Sequence, residues 1–505
     1  MNPESRDHDH DCDVAILGGA LAGAATAILI LRKNPSLRVV VVEKSTRFGR
    51  RVGEATVEVS GYFLARVLGL ASHLNEHHLA KQGMRFWFAN ARAQTLADCS
   101  EIGGRYLARV PAWQVDRAVL DEEVLLRARQ AGATVLRPAK ALRVDLDPAG
   151  NTVHLEDAAG RRTLRARWVV DGTGFAALLS RQNGWFRRNE AHPTTSVWTR
   201  WRGVKDLDGP ELAGRFPAWA AACRGLRSTA TNHIMGDGWW AWCIPLKGGD
   251  YSIGAVFDHR RVRMPEGATT SGRLREFLVR HPVGRELLEH AEPLEGDAHW
   301  RANLPYVSTR FAGDGFVLVG DAAAFLDPFY SPGMDGVAYT VTRAAELVSE
   351  AFAGKPVAPL ADRHNRDFAR SYQRWFDAVY RDKYDVFGDF DLMCRAFRLD
   401  LALYYVGVVS QPFEHGGAAL RDPVFTLPPS ELPFRLMRFY NRRLARIGRE
   451  RRRRGTLGQS NAGRRFLLNG FVPERGQSPA ILRGLLSYAA LELREGWRTW
   501  FRAEP

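Results

Sequence analysis

Residues Asp13 to Leu17 read DVAIL, and Gly18 to Gly23 read GGALAG. No other stretch restricts the fold of this chain as tightly. A short, mostly apolar run of this kind makes a parallel strand buried on both faces. The glycines then allow a sharp turn, and Ala24 to Leu31 has helical composition. A second strand, Val39 to Val42, ends in Glu43 and Lys44. Strand, glycine turn, helix, strand and acid, in that order over about thirty residues, is what dinucleotide binding requires. Small residues let the main chain approach a pyrophosphate, the helix N-terminus attracts its charge, and the acid accepts from the ribose hydroxyls. One departure matters: the middle glycine of GxGxxG is Ala20, which crowds the turn by a methyl group. Gly18, Gly19, Ala20, Ala22, Gly23, Glu43 and Lys44 are the candidate cofactor contacts of this unit.

The 505 residues allow several domain-sized units, and 45% apolar with 25% charged residues is ordinary globular usage rather than that of a disordered chain. The longest apolar run, Val14 to Leu31, is interrupted by Gly18, Gly19 and Gly23, so no transmembrane segment is expected. The start, MNPESRDHDHDCD, lacks the order of a secretory signal, and its Asp7 to Asp13 portion reads as a disordered tail. Five scattered cysteines with no CxxC fit a reducing cytoplasm and no disulfide framework. Net charge is +15, but eight lysines among 71 basic residues leave 63 arginines, a compositional habit rather than a nucleic-acid device. Only Arg442 to Arg454 is locally dense; it reads as a solvated helix, or as a docking patch for an acidic partner such as a phosphopantetheine carrier protein. His73 and His77 lack the glutamate of HExxH, and no metal site is expected.

Further along, Trp113 to Leu120 leads into an amphipathic helix, Asp121 to Gly132, and a strand, Ala133 to Leu136. Trp168 to Gly174 reads WVVDGTG, a buried strand ending at Asp171 in a glycine turn that includes Gly174. Phe316 to Ala322 reads FVLVGDA and repeats the scheme with Gly320 and Asp321. These segments resemble the successive flavin-binding motifs of the aromatic-hydroxylase-like FAD proteins. The resemblance runs over roughly residues 12 to 345 and implies FAD, with the last Gly-Asp at the ribityl chain and the following helix aimed at the flavin ring. Alternating stretches between Ser196 and His299 suit an antiparallel sheet over the cofactor. From about Leu360 the chain turns helical, with Tyr372, Trp375, Phe376, Tyr380, Tyr384 and Phe387 near a cavity. The tail, Ile481 to Phe501, is amphipathic and is expected to pack on the core rather than lie on a membrane.

Two stretches discriminate among flavin chemistries. Trp240 to Pro245 reads WxWxIP, and Phe325 to Gly333 reads FxxPxxSxG; both resemble signatures of the flavin-dependent (tryptophan) halogenases. Trp240 and Trp242, two apart on a strand, point to one face and can wall a flavin off from substrate. The resemblance implies a lysine that holds or carries the oxidised halogen, shortly before an aromatic-x-x-Asn segment; here Lys81 precedes Phe86 to Asn90. Arginine could not serve, since it is never deprotonated. Gly53-Glu54-Ala55-Thr56 resembles the family's flavin-covering GEST loop, with Ala55 for serine. Ser331, Pro332 and Gly333 stand at the halide site, where Pro332 has no N–H to give. Pro328, Gly333 and Met334 join the cofactor contacts. Tyr330 replaces the glutamate of tryptophan-specific members, which argues against free tryptophan as substrate.

The expected fold is α/β: a Rossmann-like FAD-binding core with an inserted antiparallel β-sheet and a helical C-terminal region. Its expected segments are 1–185 for the first part of the core, including Lys81, 186–300 for the β-rich cover, 301–358 for the last part of the core and 359–505 for the helical substrate region. The expected activity is halogenation of an electron-rich phenol or pyrrole, free or carrier-tethered, with chloride or bromide as co-substrate. One dinucleotide fingerprint implies FADH2 supplied by a separate flavin reductase. An aromatic monooxygenase on the same scaffold is the alternative, kept open by Ala55, Tyr330 and Pro332. A non-catalytic flavin-binding or carrier-docking protein is the third reading, and the intact flavin motifs and Lys81 argue against it.

Overall fold

The computed structural model describes residues 11–223, 226–469 and 477–500; Asp7 to His10 of the acidic start lie outside them. Five parallel strands form the centre of the first sheet, in the spatial order Thr134–Leu136, Val39–Val42, Cys12–Leu17, Gly160–Asp171 and Phe316–Leu318. Numbered along the chain that order is 3-2-1-4-5, so the connections reverse direction between the Cys12–Leu17 and Gly160–Asp171 strands. A doubly wound sheet opens a crevice at such a point, outside the carboxyl ends of its strands. Both bordering strands end there in glycine turns, 18–23 and 172–174.

Backbone lies against backbone at this crossing. A Cβ on Gly23 would stand 1.9 Å from the Gly18 carbonyl oxygen, and one on Gly18 would stand 2.5 Å from the Gly172 oxygen. Gly18 also sits at φ +93°, a conformation that side chains disfavour. Ala20 sits at the N-cap of the Leu21–Lys33 helix, with φ −71° and no side-chain cap, so its methyl is accommodated without turning the backbone left-handed. The helix packs on the long Gly333–Phe352 helix, which follows the last strand.

The second sheet has nine strands. Its centre runs Thr194–Arg202, Tyr251–Asp258, Trp239–Pro245, Thr231–Gly236, Met84–Phe88, Ser100–Gly104 and Arg465–Leu468. Pairing is mainly antiparallel, with parallel joins where Met84–Phe88 meets Thr231–Gly236 and where Arg465–Leu468 meets Ser100–Gly104. The sheet therefore draws strands from outside the 186–300 segment: two from inside 1–185 and one from the C-terminal region. Ionic bonding fastens this recruitment. Glu101, fully buried, accepts from Arg85 on the neighbouring strand and from Arg227 at 3.0 Å. Side chains alternate between faces, so Phe86, Phe88, Trp240 and Trp242 join one core while Trp87, Ala241 and Cys243 join the other.

Helix Phe390–Tyr404 packs on the Ser100–Gly104 strand, helices Glu431–Arg453 and Ser478–Arg494 pack on that helix, and helix Val357–Trp375 packs on the Ala312–Gly313 strand of the first sheet. The arginine-dense 442–454 stretch is neither solvated nor a free docking patch. Arg443 pairs with Glu492, Arg449 and Arg452 with Asp385, and Arg451 with Asp389, Asp391 and Glu495. Neighbouring elements have spent the local acids on this helix, which is why its charge run is half-buried. No helix among the described residues is long and apolar enough to cross a membrane, and the five cysteines are free.

The glycine crossing admits a direct test. Gly23→Ala forces a methyl onto the Gly18 carbonyl; it is expected to cost about 1–3 kcal/mol, as overpacking does, and to lower the flavin content of the purified protein, read by its visible absorbance.

Candidate active site

The dinucleotide end is assembled as its residues suggest. Glu43 accepts from the Gly19 amide at 2.8 Å and from the Ser45 amide at 2.8 Å, which holds the acid beside the glycine turn. The Leu21 amide is taken by Asp121, itself paired with Arg117, and neither residue carries a sequence signal. Lys44 is exposed. Asp171 is wholly buried, with burial pushing its carboxyl up, and accepts from Thr173 and Leu179. Its side chain thus shapes the second glycine turn, leaving Gly174 at φ +62°. Asp321 is pushed up to about 6 by burial, opposed by Arg117 and Arg301. Glycines that leave room for a pyrophosphate, a helix N-terminus with no side-chain cap from Ala20 and an acid held beside the glycine turn all fit FAD.

The loop at 53–56 is built differently from a simple flavin cover. Gly53 takes φ +93°, and Glu54 turns its buried carboxylate to Arg200 at 2.6 Å, with Arg200 reaching on to Asp116 at 2.7 Å. Burial pushes the Glu54 carboxyl up, against the pull of Arg200. Ala55 bridges Gln114, so this loop is pinned to the chain around Trp113. Glu54 is an anchor of the loop rather than a free polar contact.

Lys81 lies at the meeting of all three parts of the molecule. Its ammonium donates to the Thr56 carbonyl at 2.8 Å and is buried, which pulls it down to about 8 against the charges of Glu58 and Asp335. Asp335, on the Gly333–Phe352 helix, accepts from the Ser60 amide and the Tyr404 hydroxyl, each at 2.9 Å, and burial lifts it to about 7. Glu58 accepts from Tyr405 at 2.6 Å. Glu58 and Asp335 line one side of an aromatic cavity with Met84, Tyr330, Trp375 and Tyr380. The space is about 50 Å³, room for a few waters, so an aromatic ring enters only as side chains move. Met84 and Met437 on its wall are suited to that.

The two tryptophans meet the 325–333 motif behind Tyr330, which lines this cavity. Trp240 and Trp242 have ring centres 5.9 Å apart on the same face, and Trp240 packs on Phe329 at 5.2 Å. Phe86, five residues from Lys81, stacks on His233 at 4.8 Å and touches Phe329 and Tyr330. His233 is pulled down to about 3 by burial, so the wall is uncharged there. A chain of hydrogen bonds that sequence reading misses ties the motifs together. Trp240 Nε1 meets the Tyr384 hydroxyl at 3.1 Å; that hydroxyl donates to Asp327 at 2.9 Å, and His192 bonds the same carboxylate at 2.8 Å. Asp327 was legible only as a variable position of FxxPxxSxG, and His192 and Tyr384 lie far away in the chain.

At the halide position the geometry narrows the candidates. Tyr330 and Ser331 both take left-handed φ, +66° and +59°, which marks a strained turn at a site. The Ser331 amide is turned to the Pro328 carbonyl at 2.9 Å, and Pro332 has no N–H. Gly333 and Met334, opening an uncapped 20-residue helix, are left as the main-chain donors. Tyr330 bonds Asp400, which also holds the buried Lys383 at 2.6 Å.

The model of the FAD dependent oxidoreductase family matches residues 13–235, the stretch that supplies four of the five central parallel strands. The flavin-dependent halogenase chlA of Dictyostelium discoideum is 27% identical over 369 residues, 66% of this chain and 60% of its own. The tryptophan 2-halogenase of Chondromyces crocatus is 24% identical over 376 residues, 72% of this chain and 66% of its own. The chain therefore spans about three-fifths to two-thirds of these relatives' length. The crystal structure of halogenase PltM with phloroglucinol and FAD superimposes with a TM-score of 0.74 at 20% identity, over 95% of this chain and 96% of the other.

Tyr384 is the hinge of the bonded chain between the motifs. Tyr384→Phe leaves Trp240 Nε1 without its partner and removes one donor from Asp327, at an expected cost of about 1–3 kcal/mol; denaturant unfolding measures it.

Proposed function

We propose that this relative of the flavin-dependent halogenases halogenates an electron-rich aromatic ring, phenolic or pyrrolic, through the amine of Lys81. The observation that carries the reading is a buried lysine amine, lowered to about 8 against the charges of Glu58 and Asp335, two carboxylates that line an aromatic cavity. FAD bound in the glycine crevice, reduced by a separate reductase, supplies hypohalous acid from oxygen and chloride or bromide. The chain's own residues do the rest. Gly333 and Met334 offer N–H groups to the halide at a helix N-terminus, where anions are favoured. Trp240, Trp242 and Phe329 close the wall between that position and the ring, held in register by Tyr384 and Asp327. Lys81 in its neutral form takes the halogen as a hydrogen-bonded acid or haloamine and presents it to the cavity. Asp335 and Glu58 accept the proton of a ring hydroxyl or ring N–H as the carbon–halogen bond forms and the nitrogen– or oxygen–halogen bond breaks; the released amine or hydroxide takes the ring carbon's proton, and the carboxylates return theirs. Tyr330, in place of an acid, and the aromatic lining favour a phenol, and the phloroglucinol bound to PltM supports that class. Its substrate is free or carrier-tethered.

A monooxygenase reading rests on a specific observation: Ser331 has turned its amide away and Pro332 has none, which thins the halide's donors. Protein with FAD, a flavin reductase, NADH and oxygen, with or without bromide, over a panel of phenols and pyrroles decides between them by mass spectrometry. Brominated product that vanishes without bromide is expected; hydroxylated product in both conditions overturns the halogenase.

Lys81→Met is expected to abolish halogenated product while oxygen consumption by the flavin continues; halogenation at the wild-type rate would refute the assignment. The pH dependence has a defined sign. The neutral amine forms as pH rises through about 8, so the halogenation rate climbs there. Asp335 favours the charged amine, so Asp335→Asn moves that limb to lower pH while reducing the rate itself.

A further inference from the structure

The Ser478–Arg494 helix is amphipathic in an inverted sense. Gly484, Tyr488, Leu491 and Glu492 face the protein and are buried. Leu482, Leu486, Leu493, Trp497 and Trp500 are each 50–75% exposed. At helical spacing the three leucines fall on one stripe with Ala489 and Ala490, opposite the buried face, and the two tryptophans continue past the helix end. A contiguous stripe of this length is more than the scattered apolar residues of an ordinary surface.

Charge beside the stripe is mainly positive. Glu492 and Glu495, the acids of this segment, are turned to Arg443 and Arg451. Next to the helix, at Gly484 and Ser487, a cleft of about 380 Å³ is lined by Arg395, Arg398, Arg464 and Arg465 and by one acid, Asp391. Arg395 pairs with Asp391, whereas no carboxylate lies within salt-bridge distance of Arg398, Arg464, Arg465 or Arg483 among the described residues. Burial and the like charges of Arg483 and Arg395 pull the Arg398 guanidinium down, and the cleft's acid, Asp391, is taken by Arg395, Arg451 and Arg494.

We infer that this face docks on an anionic lipid bilayer. The leucine stripe enters the boundary between headgroups and acyl chains, Trp497 and Trp500 sit at headgroup level, and the cleft arginines take lipid phosphates. A second copy of the chain is a poorer occupant, because apposed stripes would bring two sets of unpaired arginines together. An acidic protein satisfies the charge but not the aromatic-ended ridge of a single helix. A one-sided apolar helix, tryptophans past its end and flanking cations are together what a monotopic surface needs.

The test uses the full chain with FAD and co-sedimentation with vesicles. Pelleting with phosphatidylglycerol mixed into phosphatidylcholine, weakened by high salt and nearly absent with phosphatidylcholine alone, is expected. Leu486→Glu with Leu493→Glu is expected to weaken binding by at least about tenfold, and Arg465→Glu or Arg483→Glu by about fivefold each. Unchanged flavin content and melting temperature show that the variants fold. Vesicle binding unaffected by these changes overturns the proposal, as does failure of the wild type to pellet. A dimer that the double leucine variant dissociates, or capture of an acidic carrier protein without vesicle binding, would assign the face to that occupant instead and overturn it equally.

Discussion

The contact of backbone on backbone at Gly18, Gly23 and Gly172 is the constraint from which the rest of the molecule follows. It brings the carboxyl ends of two parallel strands within a carbonyl's reach and fixes where the crevice lies. Asp171 then has to serve its own turn, Glu43 is held beside the Leu21–Lys33 helix, and the Phe316–Leu318 strand delivers Asp321 to the same rim. Once that rim exists, the loop at 53–56 has one side to close over. Its anchor, Glu54 to Arg200, is a buried ion pair, which fixes position more than it stabilises.

Lys81 is where that closure becomes chemistry. A lysine amine kept out of water is costly in its charged form, and the fold tolerates it by giving it one carbonyl and two carboxylates. The same low-dielectric surroundings lift Asp335, so the proton affinities of this amine and this acid are drawn together. Groups of this kind exchange protons readily near neutrality, which is the property an acid–base site needs. The aromatic wall opposite carries no comparable charge: His233 is neutral, and Asp327 and Asp400 are absorbed by His192, Tyr384 and Lys383.

How much of this is legible in the sequence varies by element. The Val39–Val42 strand falls where its four valines put it, and the Trp168–Gly174 turn ends where WVVDGTG breaks. Lys81 stands out because lysine is rare in an arginine-rich chain. The 186–300 cover was readable as β-structure, but not its recruitment of Met84–Phe88, Ser100–Gly104 and Arg465–Leu468. Short strands joined in parallel to partners more than a hundred residues away leave no local trace. The arginine run at 442–454 misled for a similar reason, because charge density reports nothing about where the matching acids come from.

Neighbours along the chain fix a dinucleotide turn that needs glycine, a strand that needs valine, and two tryptophans two residues apart that must share a face. Contacts made by approach from afar are settled by packing alone. Asp335 faces Lys81 because a helix after residue 332 packs on the turn at Ser60; Tyr384 links Trp240 to Asp327 because a C-terminal segment folds back over the second sheet. Burial of those groups, and with it their proton affinities, is a property of the packed whole. Water is excluded by many distant side chains at once, and no short stretch of sequence records that.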